Sequence, residues 1–222
     1  MKLIIFDCDG VLVNSEAIYI AAELKFLKQA GLDLDRRDYM KSFMGMPTNE
    51  WQDKLSAKAC EALGKPLEDS FFEALSGYVL ERFKTNLTAI SGVHDAISAI
   101  GLRCCVASSS SNERLHWKLE HTGLAKFFEG VVFSSDMVPR GKPEPDLFLH
   151  AASAMNVRPE NCIVIEDSAN GVLAGKAAGM AVIGFNGGDH CLDGHEDELV
   201  SVGADRVIDD FAVLKSAIDQ ME

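Results

Sequence analysis

Leu3-Ile4-Ile5-Phe6-Asp7-Cys8-Asp9-Gly10-Val11-Leu12-Val13 is the stretch that decides how this chain folds. Four successive apolar residues ended by two carboxylates read as a strand covered on both faces that runs out into a polar loop. Side chains alternate along a strand, so Asp7 and Asp9 share one side and Cys8 turns to the other. Two carboxylates this close repel each other, and apolar flanks would desolvate both. Three arrangements relieve the conflict: a shared proton, a bound cation, or a surface loop in which neither group is buried. For an isolated D-x-D the surface loop is the commonest, because Asp is frequent in loops.

The residues that follow show what surrounds this strand. From Ser15 to Lys84 the apolar residues recur at helical spacing, as in Phe72, Leu75, Val79 and Phe83, or Tyr39, Met40, Phe43 and Met44. Gly31, Gly45, Gly64 and Lys65-Pro66 punctuate the segment, and no strand pattern interrupts it. After Gly92 strands and helices alternate. Strands are expected at 104–107, 131–133, 163–165, 182–185 and 207–208, with helices marked by Val93/Ile97/Ile100, Leu115/Leu119, Phe148/Ala151/Ala152 and Ala169–Ala178. Continuous apolar strands separated by helices imply an α/β fold, a doubly wound parallel sheet with helices on both faces. The expected organisation is a core of residues 1–14 and 92–222 with a helical insertion at 15–91, hinged near 13–15 and 85–91.

With 222 residues, 47% of them hydrophobic, the chain can bury a sizeable core. Its net charge of −13 argues against nucleic acid, whose binders carry a basic face. No apolar run reaches the ~18 residues of a membrane span, and no signal sequence opens the chain. A cytoplasmic protein without nucleic-acid or membrane partners is expected, as a monomer or weak dimer. Cys8, Cys60, Cys104, Cys105, Cys162 and Cys191 follow no disulfide framework and read as reduced, small hydrophobic residues. Apart from His190, the histidines show no ligand-like spacing.

In doubly wound sheets the working residues lie beyond the carboxyl ends of the strands. There this sequence places Asp7 and Asp9, Ser108, Lys142, and the pair Glu166-Asp167. Oxygen ligands at a strand edge suit Mg²⁺, whereas zinc prefers the His and Cys that this set lacks. A carboxylate can act as a nucleophile and form an aspartyl-phosphate, given cations to neutralise the phosphoryl oxygens, a hydroxyl to orient them and an acid/base for the leaving group.

Asp7-x-Asp9-Gly10-Val11-Leu12, Ser108, Gly141-Lys142-Pro143-x-Pro145-Asp146 and Glu166-Asp167-Ser168-x-x-Gly171 resemble, in order, the four motifs of the haloacid dehalogenase-like hydrolases. The branch most similar holds β-phosphoglucomutase and small sugar-phosphate phosphatases. The resemblance implies a helical cap domain, Mg²⁺ as cofactor, and a small phosphorylated metabolite as substrate. By it Asp7 is the nucleophile and a metal ligand; Asp9 is the acid/base and binds metal through its carbonyl. Ser108 holds the phosphoryl group, with Ser109 competing for that role, and Lys142 neutralises charge beside Asp7. Asp167 ligates the metal and Glu166 supports it, directly or through water.

Departures from the branch bear on specificity. Asn14 and Ser91 stand where Asp and Pro are usual, and Tyr19 and Thr48 stand where the mutase has a His and an Arg that holds a second phosphate. A phosphatase is therefore favoured over a phosphomutase, and a phospho-accepting signalling module is disfavoured by the inserted helices. Trp51, Asn49 and Arg82 are candidate substrate contacts, and Gly187-Gly188-Asp189-His190 a candidate rim of the site.

Overall fold

The computed structural model describes residues 2–43 and 48–221. Its core is a parallel sheet of β1 (Leu3–Phe6), β2 (Arg103–Ser108), β3 (Val132–Ser134), β4 (Cys162–Glu166), β5 (Ala181–Phe185) and β6 (Arg206–Ile208). The spatial order is β3-β2-β1-β4-β5-β6, so the winding reverses between β1 and β4. At such a reversal the connections leave in opposite directions and open a crevice beyond the strand ends. β1 lies at the centre of the sheet with all four residues fully buried, which is why its sequence is apolar throughout.

The helices in chain order are α1 (Ser15–Gln29), α2 (Arg36–Phe43), α3 (Thr48–Leu63), α4 (Asp69–Asn86), α5 (Val93–Ile100), α6 (Asn112–His121), α7 (Asp146–Ala154), α8 (Ala169–Ala177), α9 (His195–Ser201) and α10 (Leu214–Asp219). Phe148 and Ala151 of α7, Val172 and Ala174 of α8, and Leu199 of α9 form one cluster with Leu3, Ile5, Cys105, Val164 and Val182 of the sheet. The alternate residues Ile4 and Phe6 are equally buried, and Phe6 meets Phe128 edge-on with ring centroids 6.2 Å apart. Each fully buried Leu, Ile or Phe contributes about 1.5–3 kcal/mol, so this double-sided core is what holds the strand ends in register.

The chain divides into two compact units, Met1–Ser15 with Leu87–Glu222, and Glu16–Asn86. The second unit is helical. α4 buries Leu75, Val79 and Phe83, and α2 buries Tyr39, Met40 and Phe43, the faces their spacing predicts. Its interior also holds a polar chain: Trp51 Nε1 donates to Tyr39 Oη at 2.9 Å, and Tyr39 Oη donates to Glu23 Oε2 at 2.8 Å. Burial pushes the Glu23 carboxyl up to about 7, against the opposing pull of the Tyr39 hydrogen bond. Met44, Gly45, Met46 and Pro47, and the side chains of Thr48 and Asn49, lie outside the described residues. No helix among the described residues is long and apolar enough to cross a membrane.

Candidate active site

Register brings the strand-exit residues to one level. Phe6 pairs with Val106 on one side and Ile165 on the other, and Asp7 N extends the ladder by donating to Ile165 O at 3.0 Å. Asp7 therefore emerges beside Glu166, the last residue of β4, at the winding reversal. Ser108 ends β2, and Lys142 reaches in from the loop between β3 and α7. That loop is braced at its base, where Arg140 makes a two-pronged contact to Asp146 at 3.1 and 2.8 Å.

The Lys142 ammonium lies between two carboxylates, donating to Asp7 Oδ1 at 2.5 Å, Glu166 Oε1 at 2.6 Å and Ala107 O at 3.1 Å. Burial would disfavour its charge, but Asp7 and Glu166 reverse the effect and hold its pKa above the ordinary lysine value. Asp7, Glu166 and Asp167 are all buried, with one oxygen from each within 4.8 Å of the others. Burial, together with the charges of Glu166, Asp167 and Asp9, raises the Asp7 carboxyl well above the usual range despite Lys142. Burial and Glu166 do the same to Asp167, opposed by His195 and Lys142. Three carboxylates face one ammonium, and this group of buried oxygens could bind a metal ion.

Two glycines make room for that group. Gly10 turns the chain after Asp9 with φ +77°, and a Cβ there would lie 1.9 Å from Asp167 Oδ2. On α8 a Cβ at Gly171 would lie 1.8 Å from Glu166 Oε1. Ser168 accounts for the rest of that motif. Its hydroxyl accepts from Gly171 N at 3.1 Å, capping α8, and donates to Glu166 Oε2 at 3.0 Å, while its own N–H donates to the same oxygen at 3.0 Å.

Asp9 stands apart from this carboxylate group. Lys118 Nζ and Ser15 Oγ both donate short hydrogen bonds to its Oδ1, and Ser110 Oγ donates to Oδ2 at 2.7 Å. Lys118 also reaches Ser110 Oγ at 2.9 Å. Burial acts to raise the Asp9 pKa, but the Lys118 charge and the hydrogen bonds from Lys118, Ser15 and Ser110 outweigh it and hold the carboxyl below its ordinary value. Of the hydroxyls after β2, Ser108 is buried and its Oγ accepts from Ser110 N at 3.1 Å, whereas Ser109 is exposed.

Lys118 went unrecognised in the sequence, although a signal was present. It shares the core-facing stripe of α6 with Leu115 and Leu119 and is only 1% exposed, an uncommon place for a lysine without a partner. His190 is equally buried, with Nε2 2.8 Å from Asp167 Oδ2. It lies in the candidate rim loop at 187–190, whose spacing carries no pattern that reveals such a contact. The fold also gathers His190, Cys191 and His195 into one group, with one ligand-type atom of each within 4.8 Å of the others. The departure at Asn14 has a partner: its Nδ2 donates to Asp189 Oδ2 at 2.6 Å. Tyr19 packs edge-on against Phe83, and Arg82 Nε donates to Tyr78 Oη at 2.9 Å.

Parallel strands wound 3-2-1-4-5-6 with carboxylates and a lysine at the reversal define a doubly wound α/β protein with an acidic, metal-competent centre. The chain belongs to the haloacid dehalogenase-like hydrolases, whose family profile matches residues 1–179. Among its relatives, the 6-phosphogluconate phosphatase of Escherichia coli is 34% identical over 200 residues, covering 90% of this chain and 87% of that protein. A phosphorylated carbohydrates phosphatase of Thermotoga maritima is 31% identical over 184 residues, 81% of this chain and 82% of that one. Among solved structures, a conserved haloacid dehalogenase-like protein of unknown function from Agrobacterium tumefaciens superposes with a TM-score of 0.92 at 36% identity, covering 100% and 99% of the two chains.

Proposed function

We propose that this protein is a Mg²⁺-dependent phosphomonoesterase whose substrates are small sugar phosphates. The observation that carries the reading is Lys142 suspended between Asp7 and Glu166, beside the buried group of Asp7, Glu166 and Asp167. Both phosphatase relatives named above act, by their names, on phosphorylated carbohydrates or sugar acids.

The donor set fits Mg²⁺. It is all carboxylate oxygen, its charge exceeds what Lys142 neutralises, and the glycine cradle at Gly10 and Gly171 leaves those oxygens crowded but clash-free. Asp7 and Asp167 would hold the ion with Glu166 in support, and the Asp9 carbonyl would complete the protein's share. Bound there, the cation supplies charge neutralisation to the phosphoryl oxygens and restores Asp7 to its carboxylate form.

The residues of the chain then divide the work. An Asp7 carboxylate oxygen attacks phosphorus, the bond from phosphorus to the leaving oxygen breaks, and Asp9 donates a proton to that oxygen. Asp9, now a carboxylate, takes a proton from water as the water attacks the aspartyl-phosphate, releasing phosphate and regenerating Asp7. Lys118 favours the carboxylate form of Asp9, the form the second half requires. An incoming phosphoryl dianion adds negative charge nearby and favours the protonated form that the first half requires. Ser108 and Lys142 orient and neutralise the group being transferred.

Phosphate release from a panel of sugar phosphates, sugar-acid phosphates and nucleotides, with and without chelator, tests this reading. Turnover of sugar phosphates that stops on chelation and returns with Mg²⁺ is expected, as is loss of nearly all turnover in Asp7→Asn. Chelator-insensitive activity, or an active Asp7→Asn, would refute it.

A further inference from the structure

Beside the carboxylate group lies a second set of potential ligands that the proposed hydrolysis does not use. One ring nitrogen each from His190 and His195 and the sulfur of Cys191 lie within 4.8 Å of one another. The imidazole rings sit 6.0 Å apart, centroid to centroid, and cross at 76°. Cys191 Sγ is 3.6 Å from His190 Nε2. His190 Nδ1 and His195 Nε2 are buried without a hydrogen-bond partner, and His195 Nδ1 lies 3.9 Å from Glu198 Oε2. Two orphaned imidazole nitrogens are an unusual expense in a folded interior, since an unsatisfied buried polar atom costs about 1–3 kcal/mol.

We infer that His190, Cys191 and His195 form a second metal site, selective for zinc or another borderline divalent transition metal rather than Mg²⁺. Imidazole and thiolate are the ligands such metals prefer, and Mg²⁺ takes neither readily. Three protein ligands leave one coordination position open. Cys191, itself half-buried, also lines an open pocket of about 270 Å³ together with Asn186, Asp193, Gly194, Glu196 and Asp197, so the surroundings of the group are acidic on that side. A cation is drawn toward a mouth of that charge. His190 Nε2 lies 2.8 Å from Asp167 Oδ2, so a metal held through the unpartnered Nδ1 would have its imidazole braced by that carboxylate.

The same contact links the two sites. Asp167 belongs to the carboxylate group, so a metal that fixes His190 also constrains Asp167. Occupancy by zinc should therefore inhibit the Mg²⁺-supported reaction, a consequence that rests on the phosphatase reading, whereas the site itself does not.

Co²⁺ is the probe, added to the whole protein in excess Mg²⁺ so that the carboxylates are saturated. Thiolate-to-cobalt charge-transfer absorption with one-to-one stoichiometry is expected, displaced by Zn²⁺. It should be lost in Cys191→Ser and weakened at least tenfold in affinity in His195→Ala, both variants keeping the wild-type circular dichroism spectrum. Absence of the band, or a band unchanged in Cys191→Ser, would overturn the site. In turnover assays Zn²⁺ at the concentration that displaces Co²⁺ should inhibit the wild type at least fivefold more than Cys191→Ser. Equal inhibition would overturn the link through Asp167, while the cobalt spectrum would still report on the site whether or not the protein hydrolyses any phosphate tested.

Discussion

Replacing Lys118 by Met tests whether Asp9 is held in working order by a buried counterion. The methionine keeps most of the stem volume and removes only the ammonium. Lys118 is 1% exposed and the Asp9 side chain 18%, so the pair lies where solvent screens little. Breaking a buried pair from one side costs about 3–5 kcal/mol, because the remaining charge is left without its partner. Asp9 would retain its hydrogen bonds from Ser15 and Ser110, which places the expected loss at the lower end, about 3 kcal/mol at pH 7. The pH dependence has a definite sign. A carboxyl held below its ordinary value of 3.8 contributes stability that is present above that value and is lost as pH falls through the folded pKa. The penalty of Lys118→Met should therefore be full at pH 7 and shrink at acid pH, where Asp9 protonates readily in the variant. Urea unfolding followed by Trp117 fluorescence, on the same helix, measures it. In a double-mutant cycle with Asp9→Asn the second substitution should recover at least about 1 kcal/mol of the loss. If Asp9 is the proposed acid/base, turnover should fall roughly 100-fold with a smaller change in KM, since mispositioning such a group affects the transition state more than binding. A loss below about 1 kcal/mol at pH 7, additive with Asp9→Asn, would refute the pairing as a determinant of Asp9.

Further outcomes follow from the same contacts. Gly171→Ala should displace Glu166, because the new Cβ would lie 1.8 Å from its oxygen; about 1–3 kcal/mol of stability and roughly tenfold in Mg²⁺ activation constant should be lost, read from melting and from Mg²⁺ titration of activity. Glu23 sits at about 7 in the fold against an ordinary 4.5, so its ionisation destabilises the protein as pH rises through that interval. Glu23→Gln should therefore be near neutral at pH 4 and stabilising by on the order of 2–3 kcal/mol at pH 8, and a pH-independent effect in chemical denaturation would contradict the assignment.

The opening stretch had three possible readings, and the structure gives its two carboxylates different partners. Asp7 joins Glu166 and Asp167 in a buried group that could hold a cation, and Asp9 takes a counterion of its own from α6. The strands, the alternation with helices and the strand-exit residues were legible because burial on both faces demands continuous apolar runs, and doubly wound topology puts the run-ends on one edge. Those are properties of local sequence and of chain winding. The contacts of Lys118 with Asp9 and of His190 with Asp167 depend on residues that meet only when helix and loop fold back over the strand ends. Lys118 is separated from Asp9 by 109 positions, and no periodicity relates them. The doubly wound scaffold and the set of groups at its edge follow from local sequence and chain winding alone. Which of those groups share a charge, a proton or a ligand was decided by tertiary packing, because electrostatic pairing depends on distances of a few ångströms that chain order does not encode.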